Sequence, residues 1–409
     1  MEGYGMRIVI IGNGVAGITA AKTIRELRSD VEIVVFAEER YHYYSRPQLI
    51  EFLSGKIDEK SLPFYPEDWY GKNRIKVQLG IPVDQIDPDD KRVLANGIWI
   101  DYDALILATG AKAFMPPFVG LPKKNVLTLR TLDDAKLAIS IAQKTKSVVI
   151  IGGGLLGLET ARALNQLRSG LSIKILEKAS YLLSRQLDKE GGGIVRALIE
   201  EMGIDVFTNV EVDEILGGDA VEKVKLKDGR ELDANLVIVS AGVRPNLELA
   251  KKSGLKIDKG LIVDDSLCCH QSGRIFACGD VVEFKGWTWG IIPAALDQAK
   301  IVAKMALEIE TPAYQGTVMS NTLKVMGIDL TSIGIMNPPD DGSFEEIRAK
   351  SDDGRIYKKF VLQDDKIVGA IILGSRKEVV RVGKLIKDGT GVGGLKAKMK
   401  QIDFDFAGL

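Results

Sequence analysis

Two short glycine patterns hold the residues best suited to chemistry in this chain. Gly12-x-Gly14-x-x-Gly17 and Gly152-x-Gly154-x-x-Gly157 have the same spacing. The first glycine permits a tight turn, the second lets backbone approach a pyrophosphate, and the third lets a helix pack on the strand before it. Val15 and Ala16 fall inside the first pattern and Leu155 and Leu156 inside the second, where a helix opens with its N–H groups toward the phosphates. About twenty residues beyond each turn stands an acid, Glu38 and Glu177, placed to accept hydrogen bonds from a ribose.

The elements that must position these residues repeat as well. Met6 to Glu38 aligns without a gap on Lys146 to Lys178, each residue 140 positions before its counterpart. Each copy reads as an apolar strand, a glycine turn, an amphipathic helix and a second β-branched strand, a βαβ unit present twice. Two bound dinucleotides are expected. Three further strand ends carry small residues: Ala108-Thr109-Gly110, Gly242 after Leu236 to Ala241, and Gly279-Asp280 ahead of the helical pattern Ala294 to Glu308. Such ends leave room for a cofactor, and an acid there can bond a polyol hydroxyl; by composition alone any of them could equally be a structural turn.

With 409 residues the chain has length for two or three domains. Lys and Arg number 55 against 56 Asp and Glu, so no charge excess points to nucleic acid or to an anionic membrane. No apolar run reaches the ~18 residues of a membrane span. The first apolar stretch breaks at Gly12, so no signal peptide is expected. Three cysteines make no disulfide framework and suit a reducing, cytoplasmic setting. Two histidines, His42 and His270, argue against a histidine metal site.

Taken together, the two glycine units, Ala108-Thr109-Gly110 and Gly279-Asp280 in that order resemble the FAD-dependent pyridine-nucleotide disulfide oxidoreductases of the glutathione-reductase-like fold, over about residues 6 to 375. Within that superfamily the chain looks most like the branch of rubredoxin reductases, nitrite-reductase flavin domains and ferredoxin reductases. The resemblance implies an α/β fold of two Rossmann-like dinucleotide-binding domains plus a C-terminal α+β domain. Residues 1–115 and 245–320 would hold FAD, 116–244 NAD(P)H, and 321–409 would form an interface domain with a basic tail. On the flavin side it implies roles for Gly12, Gly14, Gly17, Glu38, Arg46, Pro47, Val83, Ala108, Thr109, Gly110, Arg130, Gly279, Asp280 and Ile292. On the nucleotide side it implies Gly152, Gly154, Gly157, Glu159, Glu177 and Gly242, with Glu159 beside the nicotinamide carboxamide.

Departures from the pattern narrow the chemistry. Disulfide- and peroxide-reducing members carry cysteine where this chain reads Tyr43-Tyr44-Ser45-Arg46-Pro47, and no cysteine precedes Cys268. Ser45 forms no thiolate, so thiol chemistry beside the flavin is excluded unless Cys278 serves. Where ferredoxin reductases often place a lysine to pair with the acid at 159, this chain has Glu51; two acids close together would share a proton near neutrality, which makes Glu51 and Glu159 the candidate catalytic groups. The vicinal Cys268-Cys269 and the strand residue Cys278 read as packing. His42 reads as a surface turn, and the pair Trp287 and Trp289 as either a flavin shield or a loop anchor.

The expected activity is hydride transfer from NADH to flavin, then electrons to a separate acceptor, most simply a small iron–sulfur protein such as rubredoxin or ferredoxin. A peroxide-forming NADH oxidase and a flavin-bearing subunit of a larger complex are the alternatives, and a homodimer is compatible. Glu177 favours NADH, while the adjoining Lys178 admits NADPH. The stretch Ser375 to Lys400 holds eight basic residues against Glu378 and Asp388. It is expected to be either a docking surface for an acidic carrier or a solvated helix followed by a flexible segment around Gly389 to Gly394.

Overall fold

The β-branched runs that bracket each glycine turn form parallel strands. The computed structural model describes residues 5–317, 320–325, 327–404 and 406; the expected boundary at 320/321 lies next to Val318 and Met319, outside the described residues. The chain divides into two compact units, one of Met1–Phe52, Ile57–Lys112 and Val243–Thr317, the other of Leu53–Lys56, Ala113–Gly242 and Val318–Leu409.

In the first unit a six-stranded sheet runs in the order Cys268–His270, Ile275–Ala277, Ala104–Leu107, Met6–Ile11, Val31–Ala37, Ile75–Leu79. Every pairing is parallel except that of the edge strand Cys268–His270. Ile8, Val9 and Ile10 are fully buried, as strands covered on both faces require. Helices Val15–Leu27 and Ile292–Ala306 pack on each other. Their buried faces are built largely of Ala16, Gly17, Ala20 and Ala21 against Ala295, Ala299, Ala303 and Ala306, and small side chains permit that close approach.

In the second unit a parallel sheet runs Asp205–Phe207, Ser172–Leu176, Ser147–Ile151, Leu236–Val239, Val126–Thr128. The C-terminal part adds an antiparallel sheet in the order Ser320–Val325, Ile328–Gly334, Lys366–Leu373, Tyr357–Gln363, Glu345–Lys350. Helix Val379–Asp388 covers it through Val382 and Leu385. The α/β class with two parallel-sheet units and a C-terminal α+β part is therefore the fold of this chain.

A buried polar cluster ties the C-terminal sheet to the helix Lys189–Glu201 of the same unit. Asp188 caps helix Lys189–Glu201 by accepting from the Gly191 N–H at 3.0 Å. Its other oxygen accepts from the Tyr357 hydroxyl at 2.7 Å and lies 3.4 Å from Lys359 Nζ. Lys359 is 2 % exposed and also meets Glu346 at 2.7 Å. Burial opposes the charge on Asp188, yet the Gly191 N–H, Tyr357 and Lys359 together hold its carboxyl below the usual range.

The tail is more ordered than its glycines suggest. Gly389 adopts the left-handed conformation (φ +62°) that ends the preceding helix. Val392 is buried and its N–H bonds Asp365 O at 2.7 Å, so the stretch Gly389 to Gly394 is packed structure and not a flexible segment. Part of the basic excess is neutralised locally: Arg376 pairs with Asp329, and Lys396 with Glu345 and Asp365.

Candidate dinucleotide sites

The two glycine turns are built alike. In the first unit Gly12 has φ +114° and its N–H bonds Phe36 O at 2.8 Å, while Ala108 N–H bonds Ile11 O at 2.8 Å. In the second, Gly152 has φ +120° and bonds Leu176 O at 2.8 Å, while Ser240 N–H bonds Ile151 O at 2.7 Å. A Cβ on Gly12 would lie 2.1 Å from Ala108 O, and one on Gly152 would lie 2.3 Å from Ser240 O. The third glycines are equally constrained: a Cβ on Gly17 would meet Gly12 O at 1.9 Å, and on Gly157 would meet Gly152 O at 2.0 Å. These four glycines are required by the chain's own backbone.

Gly14 and Gly154 are different. Each has an ordinary negative φ and caps a helix without a side-chain cap, and a Cβ there meets nothing of the protein within 4 Å. Neither conformation nor packing asks for glycine at these positions. Each leaves a helix N-terminus open to the approach of an anionic group.

The first unit gathers its expected residues at the carboxyl ends of parallel strands, where open α/β sheets bind ligands. Ala108-Thr109-Gly110 follows strand Ala104–Leu107; Thr109 Oγ1 donates to Asn246 O at 3.1 Å, and Asn246 N–H bonds Gly110 O at 2.9 Å. Gly279-Asp280 follows Ile275–Ala277, with Gly279 N–H held by Gln298 Oε1 at 2.8 Å and its Cα face against Ala16. Glu38 is exposed just past strand Val31–Ala37. Ile292 begins its helix and is 44 % exposed. Val83 starts strand Val83–Asp87 and packs on the core.

Arg46 forms an ion pair with Glu39 at 2.8 Å; Glu39 also accepts a short bond from the Tyr44 hydroxyl, and Pro47 leads into helix Gln48–Leu53, which carries Glu51. Sequence reasoning missed Glu39, because nothing but its place beside Glu38 marks it. Asn13 was missed too: its amide is shielded inside the turn, where it faces the Tyr70 hydroxyl. Asn at a position whose counterpart is Gly153 was the available signal.

In the second unit Glu177 is fixed at the tip of strand Ser172–Leu176. Its carboxylate accepts from Gly153 N–H at 2.6 Å and from Ala179 N–H at 2.7 Å. That holds both oxygens beside the glycine turn with lone pairs to spare. Gly242 has φ +95° and its carbonyl accepts from Phe114 N–H at 2.9 Å. Arg130 belongs to this unit, its N–H bonded to Asp134 at 2.9 Å. Glu159 is buried on helix Leu155–Leu167 and Arg162, one turn on, grips its Oε2 at 2.6 and 3.1 Å; a cation thus answers this acid within its own helix.

The smaller motifs resolve as structure. Burial pushes the Cys268 thiol up to about 11 and Cys278 up to about 12, and raises Cys269 further. All three are free. At neutral pH none reacts with an aromatic disulfide reagent in the folded protein, and Cys278→Ala leaves turnover unchanged; stoichiometric labelling before unfolding would contradict this. His42 stacks on Tyr70 at 4.2 Å, and burial lowers its pKa. The tryptophans divide: Trp289 anchors its loop by donating to Thr317 O at 2.8 Å, whereas Trp287 is 71 % exposed.

Twin cradles for pyrophosphate at the ends of two parallel sheets define a pyridine-nucleotide flavoprotein oxidoreductase. The family model described as pyridine nucleotide-disulphide oxidoreductase matches residues 6–299, and the chain belongs to that family. Residues 320–390 match the rubredoxin NAD+ reductase C-terminal domain. The chain is 34 % identical over 383 residues to a nitrite reductase [NAD(P)H] of Bacillus subtilis (strain 168), covering 93 % of this chain and 47 % of that one. To the rubredoxin-NAD(+) reductase of Ectopseudomonas oleovorans it is 33 % identical, covering 82 % of this chain and 88 % of the other. A ferredoxin reductase structure from Rhodopseudomonas palustris superposes with TM-score 0.87 at 28 % identity, covering 99 % of both chains. The chain spans about half the length of the nitrite- and nitrate-reductase relatives it matches. Among the described residues no helix is long and apolar enough to cross a membrane.

Proposed function

We infer that this chain is an FAD-dependent NADH oxidoreductase that passes electrons to a small iron–sulfur carrier. The observation that carries the reading is the open space at Gly14 and Gly154, two helix N-termini that carry no side chain. Residues 1–115 and 245–320 hold FAD, 116–244 hold NADH and 321–409 serve the interface. When bound, FAD supplies a two-electron acceptor at N5 and an outlet to one-electron partners. The protein's part is to hold and orient: Gly12 to Gly17 receive the flavin dinucleotide's pyrophosphate, Glu38 its ribose and Asp280 its polyol chain. Gly152 to Gly157 and Glu177 do the same for NADH, and the Glu159–Arg162 pair presents a fixed carboxylate edge to the carboxamide. No thiol takes part, since Ser45 stands where related enzymes carry cysteine and the three cysteines are held protonated.

Free, unbridged cysteines suit a reducing cytoplasm. The test is an anaerobic NADH titration watched through flavin absorbance, followed by addition of rubredoxin or ferredoxin. Bleaching by NADH and recovery on adding the carrier are expected; recovery only with oxygen, forming peroxide, would assign an oxidase. The 32 % identity to an assimilatory nitrate reductase electron transfer subunit favours one second reading, a flavin-bearing electron-transfer subunit. Slow turnover with every soluble carrier, relieved by a partner chain, would select it.

Coenzyme preference follows from Glu177. Its fixed carboxylate accepts from a ribose 2′-hydroxyl and repels a 2′-phosphate, so kcat/KM for NADH exceeds that for NADPH by about 10-fold or more. Equal values would remove Glu177 from the ribose.

A further inference from the structure

Beside Glu177 the structure arranges a second set of charges that the dinucleotide pattern does not call for. Lys178 Nζ lies 3.2 Å from Glu211 Oε1, and Lys227 Nζ lies 2.7 Å from Glu211 Oε2, so one carboxylate holds a lysine on each oxygen. Glu211 is fixed in register with the ribose-reading acid. Glu177 N–H bonds Phe207 O, Asn209 N–H bonds Ala179 O, and Val210 N–H bonds Glu177 O, at 2.8 to 3.1 Å. The Lys227 N–H returns to Glu211 O at 2.9 Å. Lys178 is the immediate neighbour of Glu177, with consecutive Cα atoms about 3.8 Å apart, and its stem is long and flexible. Released, its ammonium is free to reach toward the 2′ position assigned to Glu177; held by Glu211, it is engaged in an ion pair.

We propose that Glu211 is a specificity-determining residue: by pairing with Lys178 it keeps a cation from the ribose 2′ position and so keeps the site selective for NADH over NADPH. This rests on the assignment of NADH to the second glycine unit. Lys227 strengthens the device by lowering, together with Lys178, the pKa of the shared carboxyl, so Glu211 stays ionised throughout the neutral range. Arg185, the other cation of the loop after Glu177, is exposed and has no acidic partner among the described residues; its pull on a phosphate is common to all variants and cancels in their ratios. The lysine is exposed, which limits the effect to the scale of a surface ion pair.

The test is steady-state kcat/KM for both coenzymes in the intact flavoprotein and in Glu211→Gln, Glu211→Asp, Lys178→Ala and the double variant Glu211→Gln/Lys178→Ala. Glu211→Gln raises the NADPH-to-NADH ratio about 3- to 5-fold, through a lower KM for NADPH, and the gain shrinks with added salt. Glu211→Asp retains most of the wild-type ratio, and the double variant returns to the Lys178→Ala ratio. An unchanged ratio in Glu211→Gln overturns the proposal. So does an equal gain with and without Lys178, which would show a general loss of negative charge and not release of this lysine. Loss of NADH preference in the unaltered protein is a separate outcome and would instead overturn the assignment of Glu177.

Discussion

Replacing Gly154 with valine raises the KM for NADH about 100-fold, some 2.7 kcal/mol, while the protein folds and retains flavin. An added Cβ meets nothing of the surrounding protein within 4 Å, and φ −81° suits any residue. The helix loses a good cap, which costs on the order of 1 kcal/mol of stability. What the valine does fill is the space over the helix N-terminus that a pyrophosphate would occupy. Gly14→Val mirrors this on the other sheet and yields a folded protein that purifies colourless. Gly12→Ala and Gly152→Ala give the contrasting result, because their Cβ atoms collide with backbone carbonyls at 2.1 and 2.3 Å; here the fold itself is lost. Thermal unfolding, flavin absorbance and NADH kinetics on the four variants separate the two classes. If Gly154→Val keeps the wild-type KM, nothing binds against that helix.

Asp188→Ala destabilises the second unit by about 3 kcal/mol, the lower end of the range for breaking a buried ion pair, because Glu346 remains as a partner for Lys359. The same change removes the cap of helix Lys189–Glu201 and leaves the Tyr357 hydroxyl without its acceptor. Urea unfolding measures the loss. The pH dependence identifies the group: the folded-state carboxyl is held below its ordinary value, so its contribution is complete above the usual carboxylate pKa of about 4 and fades as pH falls through the folded value. Asp188→Asn keeps the cap and lacks that acid-side fade. A wild-type protein and an Asp188→Asn variant with parallel stability curves from pH 6 to pH 3 would show that the charge is not what binds the elements together.

The sequence announces the parts of this molecule that repeat or that carry local backbone demands. Both βαβ units are legible because their strands are mostly buried and rich in β-branched apolar residues, and because Gly12, Gly17, Gly152 and Gly157 answer contacts within a few residues or on the adjoining strand. Asp188 is not legible, since its partners Tyr357 and Lys359 lie about 170 positions away and an aspartate before a helix already has a sufficient local explanation as a cap. Glu177 could be read as a ribose acceptor, but the two N–H groups that aim it could not. The tail misleads for the opposite reason. Thr390, Gly391, Gly393 and Gly394 have the composition of a linker, and only the buried Val392 and the left-handed Gly389 turn it into packed structure.

The alanine-faced pairing of helices Val15–Leu27 and Ile292–Ala306 has a consequence for the order of assembly during synthesis. The first glycine turn leaves the ribosome well before the helix that completes its packing, which arrives nearly three hundred residues later. Between them emerges a parallel sheet whose five strands are all contained in Val126 to Val239 and can pair without waiting for anything downstream. The first unit is therefore completed later than the unit that emerges in its middle. Until translation passes Ala306 the strands Ala104–Leu107 and Ile275–Ala277 lack the helix that packs on them, so this unit is completed by its last helix and not by its glycine turn.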